Sequence, residues 1–96
     1  MLIAKVTGTV VSTNKAEKLL GLKMLLVQPL NIATMEEKGD LAVAIDAVGA
    51  GAGEIVMLVG GSSSRQTVIT DNKPVDLTIV AIIDHIDIGE DRVFQK

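Results

Sequence analysis

Cysteine is absent from the 96 residues, so the chain has no disulfide framework and no thiolate metal site. Tryptophan and tyrosine are absent too, leaving Phe94 as the sole aromatic side chain. Single-stranded nucleic acid is held by stacking aromatics along a basic groove. Here the net charge is −3 and the nine Lys and Arg residues are scattered, so no nucleic-acid partner is expected. No apolar run is long enough to cross a bilayer. The best of them, Leu77 to Ile83, is broken by Thr78 and bounded by Asp76 and Asp84. Met1-Leu-Ile-Ala-Lys5 lacks the pattern of a secretory leader, and the expectation is a cytoplasmic protein with no membrane partner.

What is present is aliphatic. Apolar residues make up 48% of the chain, so its core is built from Val, Ile, Leu and Ala. A chain of this length makes one domain, expected over residues 1–96 with a short tail from about 87 to 96. Small domains bury a smaller share of their surface than large ones and are marginal alone. So much aliphatic content in so little volume points to burial between subunits, with a tightly packed monomer as the alternative.

Alternation marks the strands. Leu2, Ala4, Val6 and Val10 share one face of a segment reaching Thr13, with Lys5, Thr7, Thr9 and Thr13 on the other. Gly8 interrupts it and marks a bulge or bend. Residues 15–22 read as a connector with one helical turn, and 23–28 as a second strand ended by Pro29. The polar segment 31–40 follows. A third strand spans 41–48, with Leu41, Val43 and Ile45 on one face, and a fourth spans 54–59. Ser62-Ser-Ser-Arg-Gln66 reads as the start of a short helix, a serine hydroxyl capping free amides. Residues 77–86 read as one long final strand. With no long amphipathic helix to cover an open sheet, the expected fold is mainly all-β. It is a small closed barrel of the OB-like kind, about five strands with one short helix.

Between the third and fourth strands lies Gly49-Ala-Gly51-Ala-Gly53-Glu54. Glycine can turn with positive φ or let another backbone approach closely. A dinucleotide fingerprint would need glycine where Glu54 stands and a helix where a strand follows. Gly60-Gly-Ser-Ser-Ser-Arg65 lacks the lysine of a P-loop. His85 is the only histidine, and no nucleophile-elbow sequence joins it to Ser62, Ser63 or Ser64. No catalytic, cofactor-binding or metal-binding residue is nominated. Arg65 can grip a carboxylate bidentately, with Glu54, Asp46 and Asp76 as candidate partners; the alternative is an exposed arginine.

Read with its flanks, the stretch from Asp46 to Arg65 resembles the signature of the EutN/CcmL family of bacterial microcompartment vertex proteins. Gly8-Thr-Val-Val-Ser-Thr-Asn-Lys15, Leu20-Gly-Leu-Lys23-Met-Leu-Leu-Val27, Pro74-Val-Asp76 and Ile79-Val-Ala-Ile-Ile-Asp84 are similar to the family's pattern in order and spacing. Ser64 stands where the family more often has alanine, a small residue for a small residue. The resemblance implies a non-enzymatic shell subunit without cofactor, a homopentamer of β-barrels closing the corners of a polyhedral shell. Hexagonal shell tiles and encapsulated enzymes, carbon-fixing or catabolic, are the implied further partners. Candidates for the subunit interface or five-fold axis are Gly49, Gly51, Gly53, Glu54, Ser62, Ser63 and Arg65. An OB-like module binding a protein or small molecule, or a small enzyme using the serine-rich turn and His85, are the alternatives.

Overall fold

Alternation along the first segment builds β1 (Leu2–Val10), whose Ala4 and Val6 are buried while Lys5, Thr7 and Thr9 face solvent. The structure is a computed structural model and describes residues 1–11, 21–60 and 77–96. The remaining strands are β2 (Met24–Leu30), β3 (Ala42–Asp46), β4 (Ile55–Gly60), β5 (Leu77–Ile82), β6 (His85–Ile88) and β7 (Asp91–Gln95). The first five close a barrel in the order β1-β2-β3-β5-β4, with β4 pairing back onto β1. All its pairings are antiparallel except β3 with β5, a short parallel closure of Ile45 with Thr78 and Asp46 with Ile79. The expected short helix at 62–66 lies outside the described residues, as do the connector from 15 to 20 and the end of the first expected strand at 12–13; among the described residues there is no helix.

Closure needs strong bending in a strand as long as β1, and a glycine supplies it. The β1–β2 register shifts between Val6 and Gly8, the bulge expected from the glycine. Inside, Ala4, Val6, Leu25, Val27, Ala44, Ala50, Val56, Leu58 and Ile79 form the core. Each large aliphatic side chain there contributes roughly 1.5–3 kcal/mol of burial. Small alanines on β1 and β3 let the sheet curl tightly around this filling.

Pro29 does not end β2; it pairs with Ala4, and the strand runs on to Leu30. Two observations explain the tolerance. Pairing with β3 stops at Val27–Ala42, so this stretch of β2 is an edge on that side. The Pro29 carbonyl points to the same edge, where it accepts from Lys38 N at 3.0 Å, and its missing N–H would point there too. The third strand is shorter than expected, and of the shared face only Ile45 is buried; Leu41 and Val43 are exposed on the outside.

The expected long final strand breaks after Ile82, and the expected tail is a hairpin. β6 and β7 pair through Ile88–Asp91, with Gly89 at φ 60° in the first central position of the two-residue turn. Positive φ there followed by negative φ is the type II′ arrangement that matches strand twist. The hairpin lies outside the barrel, where Ile86 and Phe94 join Met35 and Ile83 against the buried Ile3, Leu30 and Ile55. This second small core explains why Ile3 is buried although it faces away from Ala4.

Candidate functional site

The chain must cross from β3 to β4, which are not neighbours in the barrel, and residues 47–54 make that crossing. Ala50 drops into the core at 1% exposure, so the loop plugs the barrel as well as connecting it. A buried plug brings its backbone amides out of water, where each needs a partner. Asp46 supplies three acceptor contacts. Its Oδ1 accepts from Val48 N and Gly49 N, both at 3.0 Å, and its Oδ2 from Ala50 N at 2.9 Å. Lys23 Nζ lies 4.0 Å from the same Oδ2 and donates to the Ala50 carbonyl at 3.4 Å, adding positive charge beside a carboxylate that is itself buried.

Glu54 closes the other end. Its Oε1 accepts from Gly51 N at 2.6 Å, its Oε2 pairs with Lys96 Nζ at 3.0 Å, and its backbone N–H returns to the Gly51 carbonyl. The Gly51 amide, and after it the Lys96 ammonium, hold the Glu54 carboxyl below its ordinary value of 4.5. Val6 stitches the loop to β1, its carbonyl accepting from Gly53 N and its own N–H donating to the Glu54 carbonyl.

Gly49 and Gly53 have φ of 81° and 85°, the left-handed region that favours glycine. Gly51 does not, and a Cβ there would meet Glu54 Oε1 at 3.4 Å. The conformational demand therefore falls on Gly49 and Gly53, and not equally on all three glycines. The amides that a phosphate would need are taken by Asp46 and Glu54 from within the chain.

Of the sequence-nominated residues, the structure gathers Gly49, Gly51, Gly53 and Glu54 into this loop. Ser62, Ser63 and Arg65 lie outside the described residues, as do Ser64 and Asp76. Sequence reasoning considered Asp46 only as a partner for Arg65 and missed it as the loop's organiser. An aspartate directly before a run of small residues and glycine is the signal, since its carboxylate reaches amides two to four residues on. His85 stands on the exposed hairpin, its Nε2 3.8 Å from Asp87 Oδ2. That carboxylate is held by Arg92, through Nε at 2.7 Å and a second guanidinium nitrogen at 3.2 Å, which lowers the Asp87 pKa.

A family model described as ethanolamine utilisation protein EutN/carboxysome matches residues 1–84. The chain belongs to the EutN/CcmL family. Among its relatives in this family, the bacterial microcompartment shell vertex protein PduN of Salmonella typhimurium is 46% identical over 88 residues, covering 88% of this chain and 96% of its own. The solved structure of CcmL from Nostoc sp. PCC 7120 superposes with a TM-score of 0.94 at 42% identity, covering both chains completely. The pentameric microcompartment shell protein GrpN of Rhodospirillum rubrum superposes at 0.83 with 42% identity, covering 92% of this chain and 99% of its own. The EutN/CcmL barrel expected from the sequence is the fold observed.

Proposed function

We propose that this chain is a structural subunit of a bacterial microcompartment shell, and that five copies form the ring occupying each vertex. One observation carries the reading: nearly the whole chain superposes on a relative described as a pentameric shell protein. The physics of the loop agrees with a scaffold. Its carboxylates are spent on the chain's own amides and on Lys96, which makes a rigid turn rather than a reactive centre. The role is structural, as in the vertex proteins it resembles, and it is exercised in the cytoplasm within the shell.

The mechanism is geometric. Hexagonal tiles alone extend as a flat sheet, and five-fold units supply the points at which the sheet closes. Hexagonal shell proteins are therefore proposed as the partners at the rim, with enzymes enclosed behind them. Gly49, Gly51, Gly53 and Glu54, with Ser62, Ser63 and Arg65, are retained as candidates for the surroundings of the five-fold axis or a subunit contact. Deleting the protein while keeping the hexagonal tiles tests the reading by electron microscopy of purified shells. Elongated or open shells are expected, and adding the protein back should restore closed polyhedra. Normal closed shells in its absence, with no related vertex protein present, would overturn it.

A further inference from the structure

A ring of identical subunits is built from heterologous contacts, one face of each copy against a different face of the next. The described surface carries two exposed apolar faces, one including residues of the 31–40 loop and one directly after it. The first is a groove of about 240 Å³ on the outside of β1 and β4, where Met1, Leu2, Ile32 and Met57 line the walls and Lys38 the rim. Met1, Leu2 and Ile32 are 89%, 47% and 54% exposed. The second is a ridge at the start of β3, where Leu41 and Val43 stand 52% and 47% exposed beside Asp40. We infer that the two faces are mates: the Leu41–Val43 ridge of one copy seats in the Met1–Ile32 groove of the next. The inference rests on the ring reading above and names the surface that reading leaves open.

Three observations select a second copy as the occupant. The faces are unlike, a groove lined by Met1, Leu2, Ile32 and Met57 and an exposed pair, Leu41 and Val43, so a single two-fold contact of like with like is not what they fit. Their charges are complementary. Lys38 on the groove rim and Asp40 beside the ridge have no ion-pair partner among the described residues, and head-to-tail stacking brings one copy's cation to the next copy's anion. The areas suit a small projection in a larger recess. Met1, Leu2 and Ile32 expose roughly 350 Å² and Leu41 with Val43 roughly 170 Å². The smaller face supplies somewhat over a third of the apolar part of an interface burying about 800 Å² per partner, of which a little over half is apolar. The 31–40 loop sets the separation of the faces. Asn31 Oδ1 accepts from Ala33 N and Thr34 N, and Gln28 Nε2 donates to the Gly39 carbonyl, so the loop that joins the two faces is tied to itself and to β2.

The test uses one variant per face, both outside strands: Ile32→Asp for the groove and Leu41→Asp for the ridge. Native mass spectrometry at low micromolar concentration is read for the wild type, each variant and their equimolar mixture. The wild type reports on the ring itself; absence of a five-copy species there overturns the ring reading, whatever the variants do. With that species present, each variant alone should fall to monomer, a loss of about thirtyfold or more in association per contact. The mixture should form a one-to-one dimer and stop, because the intact ridge of one variant fits the intact groove of the other and no further pair of intact faces remains. Circular dichroism checks that both variants keep the barrel, and Val43→Ser serves as the ridge variant if Leu41→Asp does not. Variants that remain five-copy, or a mixture that stays monomeric, overturn the pairing of these two faces while leaving the ring intact.

Discussion

Asp46 is where the fold of the glycine loop depends most on one side chain, and replacing it separates two explanations of the loop. If the glycines alone dictate the turn, the carboxylate is dispensable. If the carboxylate organises it, Asp46→Ala removes three charge-assisted hydrogen bonds, to Val48, Gly49 and Ala50. Hydrogen bonds to charged groups are worth about 1.5–3 kcal/mol each. Water can reach the Val48 and Gly49 amides once the side chain is gone, whereas Ala50 is buried at 1% exposure and is left unpaired. The net loss is therefore well below the sum, about 3 kcal/mol. Asp46→Asn is the sharper probe. It can keep an acceptor for Val48 and Gly49, but it presents an NH₂ group to the Ala50 N–H, donor against donor, for a loss of about 2 kcal/mol. Urea unfolding at fixed protein concentration reads both. With a slope of about 1 kcal/mol per molar for a domain this small, the midpoint should drop by roughly 2–3 M. An asparagine variant as stable as the wild type would refute the organising role.

Other consequences are smaller but distinct. Gly49→Ala and Gly53→Ala should each cost about 1 kcal/mol from positive φ, while Gly51→Ala stays within about 0.5 kcal/mol, all read as thermal midpoints. Phe94→Ala should cost about 2 kcal/mol and release the hairpin, seen as faster amide hydrogen exchange over 85–95 with β1–β5 still protected. Because the folded Glu54 pKa is depressed, its contribution is full above the ordinary value of 4.5 and is lost as pH falls through the lower folded value; Glu54→Gln should flatten that part of the stability–pH profile. Arg65→Glu should weaken the five-copy species in a salt-dependent manner, and unchanged mass across a salt titration would remove Arg65 from the interface candidates.

The barrel was legible from β1, where Ala4 and Val6 alternate with Lys5 and Thr7 and Gly8 marks the bend; in the expected third strand the alternation misled, since Leu41 and Val43 face out while Ala44 fills the core. Pro29 misled because a missing donor matters only where a neighbour would have accepted from it, and β3 does not extend that far. The hairpin was hidden because its strands are short and polar. Its stability comes from Phe94 and Ile86 reaching Ile3, Leu30 and Ile55, contacts distant in sequence that no local pattern records. In the loop, glycine spacing announced a turn, but not which of the three glycines bears the strain. That depends on how Asp46 and Glu54 divide the amides between them.

The number of copies in solution decides whether this chain forms a ring. Native mass spectrometry of the intact chain at micromolar concentration should show one dominant species of five copies, persisting on dilution. A spectrum of monomers alone would contradict a ring-forming vertex subunit, whatever the resemblance of its barrel.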